Sequence, residues 1–138
     1  MSPPSLLLIT QVDTAPSRHI ERHLLALLPG ARLTVAALAG LATVQEPDLV
    51  LIVLHGPDAA PLESLQHWRA RARRPVPVVL IAEPVTDDLA WRAYGARVNA
   101  VLALPSDDVE LRGALRAMCD FWFRVARLPV VPYHHPTN

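Results

Sequence analysis

The side chains in this sequence that could do chemistry are scattered and lack companions. His19 and His23 lie four residues apart, which puts both imidazoles on one face of a helix and suits two ligands of a metal. No third ligand is evident beside them, so a pair of ordinary surface histidines is the competing reading. His55 is a nucleophile without an adjacent base, and His134-His135 lie in a proline-containing tail. Cys119 is the single cysteine, which excludes an intrachain disulfide. It has no obvious activating partner and is expected on the buried side of a helix. Arg69, Arg71, Arg73 and Arg74 form a basic helix end, suited to an acidic or RNA partner, or simply to a solvated helix terminus that complements the dipole. All 13 basic residues are arginine, so lysine-dependent chemistry is excluded. Residues 14–18 contain no glycine-rich phosphate cradle.

The 138 residues are enough for one domain, and 51% hydrophobic residues are enough for one core. Thirteen basic and thirteen acidic residues give a formal net charge of zero, so there is no electrostatic case for nucleic acid or an anionic membrane as partner. A near-neutral surface also self-associates more readily. Met1-Ser2-Pro3-Pro4 lacks the basic and apolar regions of a secretory signal. No apolar run approaches the ~18 residues of a membrane span. The expectation is a soluble, cytoplasmic protein.

Short apolar runs alternate with helical patterns. Residues 5–10, 32–38, 48–54, 76–82 and 100–104 read as five strands, of which 48–54 is apolar on both faces, as a central parallel strand must be. Pro77 belongs near the start of its strand, where a missing donor is tolerated. A first helix, capped by Asp13 or Thr14, carries Ile20, Leu24, Leu27 and Leu28 on one face and stops at Pro29-Gly30. Residues 41–44 allow no more than a turn of helix. Residues 61–73 form another helix, with Leu62, Leu65 and Trp68 or Arg69 inward. Thr86-Asp87-Asp88 caps a helix that ends near Gly95. Ser106 or Asp107 caps the last helix, Asp107 and Glu110 having capping-box spacing. Leu111, Leu115, Met118, Trp122 and Val125 are its buried stripe, and it is expected to run to about Arg127, before Pro129. The β-α alternation requires right-handed crossovers and helices on both faces. It fits a flavodoxin-like α/β sandwich of three layers, strand order 2-1-3-4-5, with binding sites at the carboxyl ends of the strands.

Pro47-Asp48, the apolar run that follows and Pro57 resemble the third strand and loop of the response-regulator receiver (CheY-like) family, whose pattern there is Pro-Asp, an apolar run, the acceptor Asp, and Met-Pro ending four residues beyond it. Residues 75–82 resemble that family's fourth strand, and Leu102 to Pro105 its fifth strand and following proline. The resemblance covers roughly residues 5–127. It implies a receiver-like domain over 5–128 with a shortened or missing second helix, and a flexible tail over 129–138.

Receiver chemistry, as the family implies it, uses a phosphate-accepting Asp, an acidic pair that helps hold Mg²⁺, a Ser or Thr, and a Lys. Carried over by position, the acceptor is Val53, the acidic pair falls near Thr10 and Gln11, the hydroxyl position is Ala82 and the lysine position is Leu104. Asp13 stands close to the acidic pair but out of register. Hydrocarbon cannot attack phosphorus, and phosphoryl transfer without metal or cation loses its charge neutralisation. The resemblance therefore implies a pseudo-receiver without catalytic residues, metal or cofactor.

Phe121-Trp122-Phe123 cannot all face a core, because successive helical residues turn by about 100°. Trp91 and Tyr94 lie on the preceding helix. In receivers, the face made by the last two helices and the strand between them is the usual partner and dimer surface, and aromatics are enriched among interface anchors. The alternative is that Val130, Val131 and Tyr133 of the tail cover these rings. The leading expectation is a phosphorylation-independent signalling module in a two-component-type system. It binds a protein partner or an attached output domain and forms a homodimer through that face. The rival expectations are a small-ligand sensor with a pocket at the strand ends, and a flavodoxin-like enzyme, for which no nucleophile and base cluster in the sequence.

Overall fold

The computed structural model describes residues 4–10, 15–37, 47–55, 60–73 and 75–125. Within them the order is β1 (Ser5–Thr10), α1 (Ala15–Leu27), β2 (Arg32–Ala36), β3 (Leu49–His55), α2 (Ala60–Arg71), β4 (Val78–Glu83), α3 (Asp87–Gly95), β5 (Ala100–Ala103) and α4 (Asp108–Asp120). A π-helical turn, Phe121–Val125, continues α4. The five strands are parallel and lie in the order β2-β1-β3-β4-β5. This is the flavodoxin-like topology expected from the alternation of elements.

Strand periodicity divides the core in two. Leu7, Ile9, Val50, Ile52, Leu54, Val78, Leu80 and Ala82 point to one face and pack on Leu62, Leu65 and Trp68 of α2 and Leu89 and Ala93 of α3. Leu6, Leu8, Leu49, Leu51, Val53, Val79 and Ile81 point to the other and pack on Ile20 and Leu24 of α1 and Leu111, Leu115, Met118 and Cys119 of α4. Six of the seven residues of β3 are buried, because helices cover both of its faces. Each fully buried Leu or Ile contributes roughly 1.5–3 kcal/mol relative to exposure.

Several boundaries differ from the expected ones by one or two residues. β4 begins at Val78 rather than 76, since Pro77 has no amide to donate, although its carbonyl accepts from Val50 N at 3.0 Å. β3 is displaced by one residue, to Leu49–His55. β5 ends at Ala103, yet Leu104 N still donates to Ala82 O at 2.9 Å, one bond beyond the strand. α2 ends at Arg71, two residues early. Trp68, not Arg69, is the fully buried member of that pair. Thr86 caps α3, its Oγ1 accepting from Leu89 N at 3.1 Å. Asp107, not Ser106, caps α4, with Oδ1 accepting from Val109 N at 3.0 Å, two residues on rather than the three of a capping box. The proposed first-helix cap (Asp13 or Thr14), the short helix near 41–44 and the tail lie outside the described residues.

Candidate functional site

The carboxyl ends of β1, β3, β4 and β5 converge at one edge of the sheet. Thr10 pairs in register with Val53, Val53 with Ile81, and Ala82 with Ala103. Val53 is 3% exposed and belongs to the apolar cluster beneath α1 and α4, where Ile81 is also buried and Leu104 packs at the margin. Thr10 is half-buried. The structure thus brings Thr10, Val53 and Leu104 to one edge. Gln11 lies outside the described residues.

Ala82 is different. It is buried in the other cluster, beneath α2 and α3, so its methyl group points away from Val53. Ile81 is the residue on Val53's face. A strand that is apolar on both sides hides this parity, because either residue could face either helix layer. Ile81 adds a further hydrocarbon side chain on Val53's face of the edge. These residues do not fit Mg²⁺, which takes oxygen ligands. Val53 and Ile81 offer none, and Thr10 offers a single hydroxyl.

Polar groups do gather to one side, between α1 and the start of α4. His23 is buried, and its Nε2 lies 2.9 Å from Asp108 Oδ1. His19 Nδ1 and Arg22 Nη2 each stand 3.9 Å from the same oxygen. The hydrogen bond from His23 draws the Asp108 carboxyl below the usual carboxylate range; desolvation opposes it, and the charges of His23, Arg22 and His19 add to the lowering. Asp108 also occupies the first turn of α4, where the helix dipole favours an anion. His19 and His23 therefore serve a carboxylate clasp between two helices. Among the described residues no group of three or more His, Cys, Asp or Glu is arranged to hold a metal. Sequence reading missed this clasp because its halves are 85 positions apart. The His19/His23 spacing was the only local signal.

A cleft of about 350 Å³ opens beside the clasp, lined by Pro16, His19, Glu83, Leu104, Ser106 and Asp108 among others. His55 is exposed at the end of β3, next to Glu83 of β4. Cys119 is buried, and loss of hydration, helped by nearby Asp120, pushes its thiol up to about 11, so it stays protonated and unreactive at neutral pH.

The aromatic residues divide. On α3, Trp91 is 82% exposed and Tyr94 is 55% exposed. Phe121 is also exposed, while Trp122 and Phe123 are half-buried against the α1/α4 cluster. The Phe121 and Trp122 rings meet edge to face, with centroids 4.9 Å apart.

No family model matches this chain, and neither does any curated protein. Solved structures do. The phosphorylated cyanobacterial phytochrome response regulator RcpA superposes with a TM-score of 0.80 at 18% identity, covering 94% of this chain and 100% of that one. The Mn²⁺-bound response regulator Rcp1 gives 0.74 at 22% identity, covering 93% and 100%. RPA3017, a response regulator in red light signaling of R. palustris, gives 0.73 at 19% identity, covering 92% and 99%. The fold is that of a CheY-like receiver domain. Strand order, helix layers and near-complete mutual coverage agree on it. No helix among the described residues of this receiver fold is long and apolar enough to cross a membrane.

Proposed function

We propose that this chain is a phosphorylation-independent pseudo-receiver: a signal-transduction module, in a two-component-type system, that acts by binding protein. The observation that carries the reading is Val53, a hydrocarbon side chain 3% exposed at the end of the central strand, with Ile81 packed on the same face. A phosphoryl acceptor must present a nucleophile to solvent and metal, and this position presents neither. The exposed rings of Trp91, Tyr94 and Phe121 support the second half of the reading. On this proposal they anchor a protein partner or a second copy of the chain through the face formed by α3, β5 and α4, with Trp122 and Phe123 as the half-buried base of that surface.

The test is incubation of the intact chain with Mg²⁺ and acetyl phosphate, and separately with beryllofluoride. The expected result is an unchanged mass and no metal-dependent change in the amide spectrum. A stable phosphoryl adduct defeats the proposal.

The cleft beside His19 and Asp108 favours a second reading, a small-ligand sensor. Its volume of about 350 Å³ lies at the lower end of the range for ligand pockets. On this reading a small-molecule screen finds a compound that raises the melting temperature in the wild type but not in Ser106→Trp, which fills the cleft.

A further inference from the structure

The opposite, amino-terminal edge of the sheet carries a polar arrangement that the pseudo-receiver reading leaves unused. Arg69 stands in the last turn of α2, where a basic side chain ordinarily extends into water. Here Nη2 instead donates to the Arg97 carbonyl at 2.9 Å and to Asn99 Oδ1 at 3.0 Å. The same Asn99 oxygen accepts from Val78 N at 2.8 Å, so the guanidinium is tied to the first residue of β4. Arg69 Nε is buried and has no hydrogen-bond partner.

Arg97 is held at a φ of 68°, the left-handed region where glycine is unstrained and a side chain is not. Its side chain is exposed. The 2.9 Å bond to its carbonyl brings Arg97 up against Arg69, and loss of hydration, and then the charge of Arg97, lower the pKa of Arg69. Among the described residues neither arginine has an ion-pair partner. The fold thus keeps two positive charges together, one of them partly desolvated, and holds one of the two on a strained backbone.

We propose that Arg69 and Arg97 form a binding site for a phosphate-class oxyanion at the amino-terminal edge of the sheet. A guanidinium is a rigid fork of donors that matches phosphoryl oxygens, and Arg69 has Nη1 uncommitted. Because Asn99 and the Arg97 carbonyl already fix Arg69, little side-chain freedom is lost on binding. A dianion neutralises both cations, which a carboxylate does only in part. The left-handed backbone at Arg97 presents its carbonyl to Arg69 while its side chain stays exposed. This site is at the far end of the strands from Val53 and stands or falls independently of the proposed function.

The test uses the intact chain, inorganic phosphate as probe, and sodium chloride at matched ionic strength as control. Phosphate stabilises the wild type saturably in a thermal melt, and the Arg69 and Arg97 Nε–Hε resonances shift with it. Arg97→Gly melts higher than wild type in chloride, because backbone strain is relieved, yet binds phosphate at least roughly ten-fold more weakly. Arg69→Met, which keeps the apolar stem, loses the phosphate response as well. An equal response in Arg97→Gly, unmoved arginine resonances, a response that never saturates, or acetate binding as tightly as phosphate each overturns the proposal.

Discussion

Val53 and Trp91 mark two regions that the same fold treats in opposite ways. At the carboxyl edge of the sheet, where receiver domains do their chemistry, the side chain is hydrocarbon and 3% exposed. On the outer surface of α3, the indole of Trp91 is 82% exposed. Burial at the first place stabilises the monomer directly, since an apolar side chain avoids the like-charge repulsion of clustered carboxylates. Exposure at the second leaves apolar area in water among the described residues.

The largest effect is expected from unsealing the inner site. Val53→Asp places a carboxylate among leucine and isoleucine side chains with no cation beside it, and should destabilise the chain by about 4 kcal/mol or more, read as a lower urea midpoint at neutral pH. A midpoint equal to the wild type's means the edge is already wet, and the contrast with Trp91 disappears. The outer face is next. Trp91→Ala with Phe121→Ala should leave the urea midpoint nearly unchanged but weaken self-association by roughly 2 kcal/mol, about thirty-fold in dissociation constant, by sedimentation equilibrium. Unchanged association removes these rings from any interface. Arg97→Gly, just beyond the end of α3, should gain about 1 kcal/mol from relief of the left-handed backbone. A loss instead shows that its side chain holds the turn together.

The smallest effect concerns the clasp that pins α1 to α4 next to the sealed edge. The Asp108 carboxyl is held below its ordinary value by the His23 hydrogen bond, so its contribution is present above the unfolded-state pKa and lost as pH falls through the lower folded-state value. Acid melts from pH 5 downward (roughly the window around an ordinary carboxylate) should be shallower for Asp108→Asn than for the wild type. Parallel curves place the acid sensitivity elsewhere.

The sites divide along the same line as the fold. The place of Val53 near the end of β3 could be read from the sequence, because Pro47-Asp48 and Pro57 bracket the strand. The face that Ala82 takes could not, because the run Val78–Glu83 is apolar at almost every position and either parity fits it. The aromatic triplet was partly legible: helical rotation requires at least one ring outside, but only packing chose Phe121. The clasp of His23 on Asp108 and the tie of Arg69 to Asn99 were out of reach, since each joins side chains whose own neighbourhoods give no hint of the other.

What the sequence determined by itself is the alternation of buried parallel strands with one-sided helices, the order in which they pack, and the hydrocarbon at the end of the third strand. These are written in local periodicity, which depends on residues a few positions apart. Tertiary structure alone decided which face each two-sided strand turned to which helix layer, which ring stayed in water, and which distant charges met. Those choices follow from close packing and from the pairing of charges in space, and neither leaves a local signature in the chain.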